Sequence, residues 1–312
     1  MERSPAMRPL KNLCEIAVIG GGLAGLSAAR HAARLGRLVT LFEGTGLYGG
    51  QVATVGHVDG LPMPGDWSGQ DIAVALLEDL RKVGVRVIEA GVESLDVADR
   101  ITLNDADGNV HHPEAVIVAS GASLRKLGVP GEEALFGRGV SRCASCDGGF
   151  FRNRDVIVVG GGDAAVHEAL LLAKTSRRVI MVCRSPLRAK RDYIDRIAAL
   201  ENVEFVWDSE VTEILGSDGV TGARVRNLRN GETSDVECLG LFPFVGVEPN
   251  SGFLPAAFRT PTGHVTTDQG LATSDARVFA AGAVRGEYGG NAIQAMAEGV
   301  GAAEASARLL AR

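Results

Sequence analysis

The chain has 312 residues, of which 46% are hydrophobic and 22% are charged. This length allows two domains of ordinary size, and the composition is that of a globular protein that builds its own hydrophobic cores. The 32 basic and 38 acidic residues give a formal net charge of −6 without a long run of either sign, which argues against nucleic acid or an anionic membrane as a partner.

Residues 1–11 contain scattered arginines and prolines and lead directly into an apolar run. They lack the apolar core and the small-residue cleavage site of a signal peptide. Apolar stretches elsewhere are broken well short of about 18 residues, the length from which a membrane-spanning helix is expected. The sequence therefore predicts a cytoplasmic protein with no membrane partner.

The first predicted unit is a strand, a glycine-rich turn, a helix and a second strand. The strands are predicted over Glu15–Ile19 and Leu38–Phe42, and the helix between them over Leu26–Leu35. Glu43 follows the second strand, about twenty residues after the turn, where a carboxylate can hold ribose hydroxyls. The pattern predicts a dinucleotide-binding βαβ unit, with the pyrophosphate at the helix N-terminus. Its fingerprint glycines are Gly20, Gly22 and Gly25.

Short strands follow between residues 92 and 118. They are separated by turn sequences at Asp99-Arg100 and Asp107-Gly108-Asn109, which predicts a small meander. The meander ends in a buried strand near residues 115–118 and a turn at Gly121. This order of elements extends the first domain up to residue 122.

Cys143 and Cys146 follow in the spacing C-x-x-C, which is typical of a redox-active dithiol or of half a zinc site. Zinc needs further ligands, and the sequence has no second cysteine pair and no histidine pair of suitable spacing. The adjacent His111 and His112 are predicted to lie in a surface turn. We expect no metal site. The five cysteines of the chain are too few for a secreted disulfide scaffold. The three outside the C-x-x-C pair are expected to be buried: Cys14, Cys183 and Cys238.

The strand, turn and helix pattern then repeats. Strands are predicted over Asp155–Val159 and Val179–Val182, with a helix over Val166–Thr175 between them. The turn keeps two fingerprint glycines, Gly160 and Gly162, and has Ala165 in the third position, an accepted variant.

The second unit differs from the first at the end of its second strand, where no acidic residue follows. Cys183-Arg184-Ser185 stands there instead. A nucleotide 2′-phosphate could be bound by Arg184 and Arg188, with Lys190 and Arg191 nearby. The alternative is that these four cations only solvate a loop and a helix start. The sequence leaves both readings open.

Residues 203–241 again alternate between short strands and turns, as after the first unit. A final strand is predicted at 277–282 and a helix at 291–310, and we expect both to join the first domain. The predicted fold class is α/β, with two Rossmann-like three-layer dinucleotide-binding domains, the second inserted into the first. The first domain is predicted over 1–122 and 246–312, and the second over 123–245. Two nucleotide units suggest one tightly held cofactor and one exchangeable cofactor.

The sequence around the dithiol resembles that of the low-molecular-weight bacterial-type thioredoxin reductases, and the similarity spans nearly the whole chain. The family hallmark C-A-T-C-D-G appears as Cys143-Ala-Ser-Cys146-Asp147-Gly148. Further matches are Gly49-Gly50-Gln51, Pro130-Gly131-Glu132-Glu133 and Gly246-Val-Glu-Pro-Asn250.

The resemblance implies FAD on the first unit and NADPH or NADH on the inserted one, in a homodimer that reduces thioredoxin or a related dithiol protein. It also implies that Cys143 exchanges with the substrate and that Cys146 is the sulfur nearest the flavin. Asp147 is the implied acid/base, and the alternative is that Asp147 only caps a turn. The implied FAD contacts are Gly20, Gly22, Gly25, Glu43, Gly50, Gln51, Gly282, Ala283, Asn291 and Ala292. The implied nicotinamide nucleotide contacts are Gly160, Gly162, Ala165, Arg184 and Arg188.

Two departures from the family pattern keep other functions open. Ala283 replaces an aspartate that bonds the flavin's sugar-alcohol chain, a loss of roughly 1.5–3 kcal/mol if nothing substitutes for it. The family's H-R-R-x-x-x-R is reduced here to Cys183-Arg184-Ser185-Pro-Leu-Arg188, so NADH or ferredoxin could be the electron donor. Further alternatives are a dithiol oxidase that uses oxygen and a non-catalytic flavin-binding redox sensor.

Overall fold

A computed structural model of the protein describes residues 14–58, 61, 65–286, 288 and 290–311. The segment 1–11, for which no signal peptide is predicted, lies outside the described residues. The chain divides into two compact units, the first made of residues up to 123 and from 249 onward, and the second of residues 124–248. The chain passes to the second unit in β8 (Ala122–Leu124) and returns in β16 (Val247–Pro249).

The first unit is built on a parallel five-stranded sheet in the order β17-β7-β1-β2-β3. Every residue of β1, β2 and β7 is buried, as expected for a parallel sheet covered on both faces. The predicted final strand pairs with β7, so its expected place in the first unit is confirmed. The strands are β1 (Ile16–Ile19), β2 (Val39–Phe42), β3 (Arg86–Ile88), β7 (Ala115–Val118) and β17 (Val278–Ala280).

Three helices cover one face of this sheet and share a core with it. The helix after the glycine-rich turn begins at Leu23 rather than at the predicted Leu26. Gly22 is its N-cap, so Gly25 lies in the first turn of the helix. The second helix begins with a capping box between Ser68 and Asp71, which pairs the first free backbone N–H groups. The helices are α1 (Leu23–Arg34), α2 (Gly69–Lys82) and α6 (Ala292–Leu310).

The predicted meander covers the other face as the antiparallel sheet of β4 (Val92–Val97), β5 (Ile101–Asp105) and β6 (Val110–His111). The prediction that His111 lies in a surface turn is wrong. His111 belongs to β6, and its Nε2 lies 2.8 Å from a carboxylate oxygen of the buried Asp105. Burial opposes ionisation of Asp105, but hydrogen bonds from His111 and Asn109 outweigh it and lower the pKa of the carboxyl.

The second unit repeats the plan of the first with a parallel sheet in the order β11-β10-β9-β15. Helices pack on one face of this sheet and an antiparallel sheet packs on the other. The region predicted as one run of short strands is therefore divided, since its first and last strands join the parallel sheet. The elements are α3 (Ala144–Asp147), β9 (Asp155–Val159), α4 (Asp163–Leu172), β10 (Arg178–Cys183), α5 (Arg191–Ala198), β11 (Val203–Trp207), β12 (Ser209–Gly216), β13 (Val220–Asn227), β14 (Thr233–Glu237) and β15 (Gly240–Pro243).

Helices α1 and α6 approach each other closely at Gly299. A Cβ on this residue would lie 2.1 Å from the backbone oxygen of Ala24. We expect Gly299→Ala to lower the free energy of unfolding by about 1–3 kcal/mol, because the two helices must move apart. Urea unfolding, read from the shift in midpoint, measures the change.

Gly301 provides the control within the same helix. A Cβ there would meet only the end of the Leu271 side chain, at 3.2 Å, and that side chain can rotate away. Gly301→Ala should therefore be neutral or stabilise the protein by up to about 1 kcal/mol through helix propensity. Equal losses in both variants would contradict the close helix contact as the cause.

Candidate active site

Cys143 and Cys146 form a disulfide, with their Cα atoms 5.3 Å apart. Cys143 is the N-cap of α3, and Cys146 lies in the single turn of that helix. The spacing of three residues places the two side chains on the same side of the turn. The backbone N–H of Cys146 donates to Cys143 Sγ over 3.2 Å, and Ser145 Oγ lies 3.3 Å from the same sulfur. Polar groups of the turn are thus directed at Cys143.

Two side chains outside the turn hold its backbone. Ser141 Oγ accepts a hydrogen bond of 3.1 Å from the N–H of Cys143. Glu168 Oε2, on α4, accepts one of 2.7 Å from the N–H of Ala144, the first residue of α3. The redox turn is therefore fixed to the helix that follows the second glycine-rich turn.

The residue before the disulfide is anchored by a buried carboxylate. Arg142 Nη2 donates to Glu132 Oε1 over 3.2 Å, and Glu132 is only 2% exposed. Glu132 also accepts from the backbone N–H groups of Leu127 and Gly128. The arginine carbon Cζ lies 5.3 Å from the ring centroid of Phe136, within the range of a cation–π contact. The Pro130–Glu133 motif thus supports the segment that leads into the dithiol.

Asp147 ends α3 directly after Cys146 and is half-buried. Its side chain makes no cap hydrogen bond to the following 3-10 turn, so the structure does not support a role as a turn cap. Cys146 is exposed and Cys143 is half-buried. Exposure alone therefore does not mark Cys143 as the sulfur that meets a substrate.

The glycines of the first turn have three different environments. A Cβ on Gly20 would lie 2.4 Å from the backbone oxygen of Ala119, and Gly20 also has a φ of +104°. A Cβ on Gly25 would lie 1.8 Å from the oxygen of Gly20. At Gly22, by contrast, nothing lies within 4 Å. The turn packs tightly on its inner side and leaves an open face before α1, where a pyrophosphate can approach the helix N-terminus.

Glu43 is buried at the end of β2, and its carboxylate closes the glycine-rich turn. Oε2 accepts a hydrogen bond of 2.6 Å from the N–H of Gly21. Oε1 accepts from the N–H and the hydroxyl of Thr45, at 2.7 and 2.6 Å. Because two carboxylate oxygens offer about four acceptor positions, one remains for a ribose hydroxyl.

Gly50 and Gln51 begin the 3-10 helix Gly50–Thr54, which lies beside this turn. The preceding N–H of Gly49 donates to the oxygen of Gly21 over 2.8 Å. The Gln51 side-chain amide donates to the backbone oxygen of Ala122. Both predicted contact residues thus lie in the same neighbourhood as the first fingerprint.

The turn at Gly282-Ala283 is supported by a residue that sequence reasoning missed. Glu298 Oε2, on α6, accepts a hydrogen bond of 2.7 Å from the N–H of Gly282. Its other oxygen forms a 2.7 Å ion pair with Arg285, and both side chains are about 10% exposed or less. Ala283 itself has no hydrogen-bonding side chain, so the aspartate of the family pattern has no replacement at its own position.

Asn291 and Ala292 mark the start of α6. Asn291 is its N-cap, and the side-chain oxygen accepts a hydrogen bond of 2.8 Å from the N–H of Gln294. The Tyr288 hydroxyl donates to the backbone oxygen of Asn291 over 2.6 Å. Burial, followed by the nearby charge of Glu298, raises the pKa of Tyr288 to about 12, so this phenol stays protonated at neutral pH.

The second glycine-rich turn has the same division of space as the first. A Cβ on Gly160 would lie 2.2 Å from the backbone oxygen of Phe244 and 3.1 Å from the Ala165 methyl group. Nothing lies within 4 Å of the corresponding position on Gly162. Gly162 is therefore the open side of the turn, and Ala165 fills the place of the third glycine.

The cations predicted near the second turn differ in their environments. Arg184 Nη2 lies 3.2 Å from Glu210 Oε2, whose second oxygen binds Arg226. The Arg188 backbone N–H donates to the oxygen of Gly161 over 2.7 Å, and its side chain is exposed. Lys190 lies over a tyrosine ring, and Arg191 pairs with Asp195. Within the described part of the chain, Arg188 is the one of these four cations for which no ion pair or ring contact is found.

The fold and the site define the class of protein. Two glycine-rich βαβ units and a C-x-x-C disulfide on a helical turn are the components of a flavoprotein disulfide oxidoreductase. Residues 14–299 match the family model described as pyridine nucleotide-disulphide oxidoreductase. The chain belongs to this family and is a disulfide oxidoreductase, as predicted.

Several proteins that are similar to the chain over nearly its whole length are named thioredoxin reductase. That of Treponema pallidum is 34% identical over 94% of this chain and 96% of its own. That of Streptomyces coelicolor is 36% identical over 94% and 93%. The crystal structure of Lactococcus lactis thioredoxin reductase covers 96% of this chain and 99% of its own, with a TM-score of 0.91 and 32% identity. The predicted fold class and the family resemblance are confirmed.

No described helix is both long and apolar enough to cross a membrane. In the same residues, no group of three or more His, Cys, Asp or Glu side chains is arranged to hold a metal ion.

The three cysteines outside the disulfide should react slowly with thiol reagents. Burial raises the pKa of Cys183 to about 11 and that of Cys238 to about 12. Cys14 is half-buried rather than fully buried as predicted, and this partial burial still raises the pKa of its thiol. Since the thiolate is the reactive form, we expect mild reduction of the native protein to expose two fast-reacting thiols. Thiol counting with a chromogenic disulfide at pH 8 measures them.

The same count after unfolding should give five thiols, because burial no longer protects the other three. Cys143→Ser should leave a single fast thiol with or without prior reduction. A third fast thiol in the native wild-type protein would contradict the burial of this set.

Proposed function

We propose that this chain is a thioredoxin-disulfide reductase that passes electrons from a reduced nicotinamide nucleotide, through FAD, to thioredoxin or a similar dithiol protein. The observation that carries the proposal is the Cys143–Cys146 disulfide on the turn held by Glu168, in a unit that also has a dinucleotide fingerprint. The full-length similarity to proteins named thioredoxin reductase supports the choice of substrate.

The first unit would hold FAD. The open face at Gly22, the free acceptor position of Glu43 and the N-terminus of α1 fit a pyrophosphate and a ribose. Gly20, Gly25, Gly50 and Gln51 would shape this site, and the turns at Gly282-Ala283 and Asn291-Ala292 would meet the flavin end. Bound FAD supplies a two-electron carrier between nicotinamide and disulfide.

The second unit would hold the nicotinamide nucleotide. Gly160, Gly162 and Ala165 form a turn that fits a pyrophosphate. NADPH is the donor we propose, with Arg188 and then Arg184 at its 2′-phosphate. Because Arg184 is already paired with Glu210, NADH is the alternative, and reduced ferredoxin is a further one.

The residues of the redox turn would carry out thiol exchange. Once the disulfide is reduced, the Cys143 thiolate attacks one sulfur of the substrate disulfide, forms a mixed disulfide and releases the other substrate sulfur as a thiolate. Cys146 then attacks Cys143, which restores the internal disulfide and releases the second substrate thiol. Asp147, adjacent to Cys146 and free of a cap hydrogen bond, would transfer the proton that the released thiolate takes up.

We also propose that the protein works as a homodimer in the cytoplasm. The homodimer rests on the family resemblance, and the cytoplasmic location rests on the sequence pattern. Size-exclusion chromatography with light scattering measures the first of them, with a monomer of 32.5 kDa as the reference.

An anaerobic titration of the FAD-loaded protein tests the electron donor. We expect NADPH to bleach the flavin absorbance within seconds at a stoichiometric amount, and NADH to do so only at higher concentration, because Arg188 recognises the 2′-phosphate. Bleaching by both nucleotides at equal concentration would show that NADH is as competent a donor as NADPH. Bleaching by reduced ferredoxin alone would overturn the nicotinamide part of the proposal.

Cys146→Ser tests the dithiol. We expect this variant to lose thioredoxin reduction by at least about a thousandfold, because no second sulfur remains to resolve the mixed disulfide. Insulin reduction coupled through thioredoxin measures turnover, and flavin bleaching by the donor should persist. Cys14→Ser, which changes a thiol of the first unit, should keep full turnover. A Cys146→Ser protein that still reduces thioredoxin would exclude this mechanism.

A further inference from the structure

Helix α4 connects the second glycine-rich turn to the redox turn. It begins at Asp163, directly after Gly162, and its sixth residue is Glu168. At 1.5 Å per residue, Glu168 lies about 8 Å along the helix from its start. Its Oε2 accepts the 2.7 Å hydrogen bond from Ala144, the residue between Cys143 and the rest of α3. One helix thus carries both the nucleotide turn and the contact that holds the dithiol.

The Glu168 carboxylate lies in a confined setting, with 17% of its side chain exposed. Its second oxygen faces His167 Nδ1 at 3.6 Å, and the His167 ring lies 5.8 Å from that of Tyr193 on α5. The N–H of Ala144 gives Oε2 a short hydrogen bond, as is typical of a charged acceptor. The negative charge is therefore fixed at the first N–H of α3 and is not a mobile surface charge.

Two charged residues, Arg142 and Asp147, also flank the disulfide in sequence. The guanidinium of Arg142 is bound to Glu132. Asp147 adds a second carboxylate at the other end of α3. Within the described residues, the fixed charge in hydrogen-bond contact with the backbone N–H groups at the start of α3 is that of Glu168.

The negative charge of Glu168 opposes the stabilisation that nearby backbone N–H groups give to a cysteine thiolate. Backbone N–H groups beside a sulfur, such as that of Cys146 beside Cys143 Sγ, stabilise a thiolate and lower the pKa of the thiol. A carboxylate that accepts from an N–H group of the same turn reduces that effect and adds repulsion. We propose that Glu168 is a positioning residue that fixes the redox turn and, through its charge, keeps the Cys143–Cys146 dithiol weakly acidic and strongly reducing. This inference rests on the proposed redox role of the two cysteines.

The chemical balance gives the direction of the effect. Reduction breaks the S–S bond and takes up two electrons, and each sulfur ends as a thiol or a thiolate. A group that destabilises the thiolate disfavours the reduced pair at pH values near the thiol pKa, and so makes the reduced pair the better electron donor. Glu168 would in this way favour the transfer of electrons from the dithiol to a substrate disulfide.

Three variants separate charge from position. Glu168→Gln keeps an oxygen that accepts from Ala144 and removes the charge, whereas Glu168→Ala removes both. Glu201→Gln is the matched control, since Glu201 is an exposed glutamate between α5 and β11 of the same unit. Each protein is reduced and labelled with iodoacetamide between pH 5 and 10, and fragment mass spectra give the rate at Cys143 separately from the other cysteines.

In Glu168→Gln we expect the pH midpoint for labelling of Cys143 to fall by about one unit. We also expect the equilibrium constant for reduction of the disulfide by dithiothreitol to rise about threefold at pH 8, because more of the reduced pair is thiolate. Glu201→Gln should match the wild type in both measurements. Glu168→Ala should show the same two shifts together with faster hydrogen exchange at Ala144.

Other results decide against the inference. An unchanged midpoint and an unchanged equilibrium constant in Glu168→Gln would overturn it, even if Glu168→Ala fails to fold. A wild-type disulfide that dithiothreitol does not reduce would contradict the proposed redox role itself. Both measurements use neither a nicotinamide nucleotide nor thioredoxin, so an error in the proposed donor or partner does not affect them.

Discussion

The close approach of backbone to backbone at the two glycine-rich turns is the constraint on which both units depend. A Cβ on Gly25 would lie 1.8 Å from the oxygen of Gly20, and one on Gly160 would lie 2.2 Å from that of Phe244. Only a residue without a side chain allows strand, turn and helix to pack at this distance. The same packing leaves Gly22 and Gly162 open on the outer side. The open face at each turn, where the proposed nucleotide would lie, is thus a consequence of how each helix is attached to its sheet.

This constraint explains why the sequence predicted the sheets well and the helix limits less well. The glycine fingerprint, the apolar strands and the turn residues are local signals, and they located both βαβ units. The start of α1 at Leu23 and the end of α4 at Leu172 depend on hydrogen bonds that only the folded turn makes. Residues 203–241 show a further limit, because parallel and antiparallel strands have similar local patterns.

The candidate site likewise combines residues that the sequence identified with residues that only the structure shows. Cys143, Cys146 and the two fingerprints are short motifs, so the sequence alone identified them. The carboxylates that hold the site are distant in sequence from what they hold: Glu168 is 24 residues from Ala144, and Glu298 is 16 from Gly282. From sequence alone a helical glutamate is expected to be exposed to solvent, and only the tertiary fold brings these two to backbone N–H groups.

The cations beside the second turn show why composition could not decide the nucleotide. Four basic residues follow β10, and counting them favours a phosphate site. In the fold Arg184 is bound by Glu210, and this carboxylate also binds Arg226. A phosphate must therefore compete with Glu210 for Arg184, whereas Arg188 has no such competitor among the described residues. Arg184 is the exposed partner of this pair, with 67% of its side chain accessible, so a phosphate can reach the guanidinium while Glu210 still holds it. A preference for NADPH over NADH at the proposed nucleotide site would therefore depend on how well a phosphate competes with Glu210, rather than on the number of arginines.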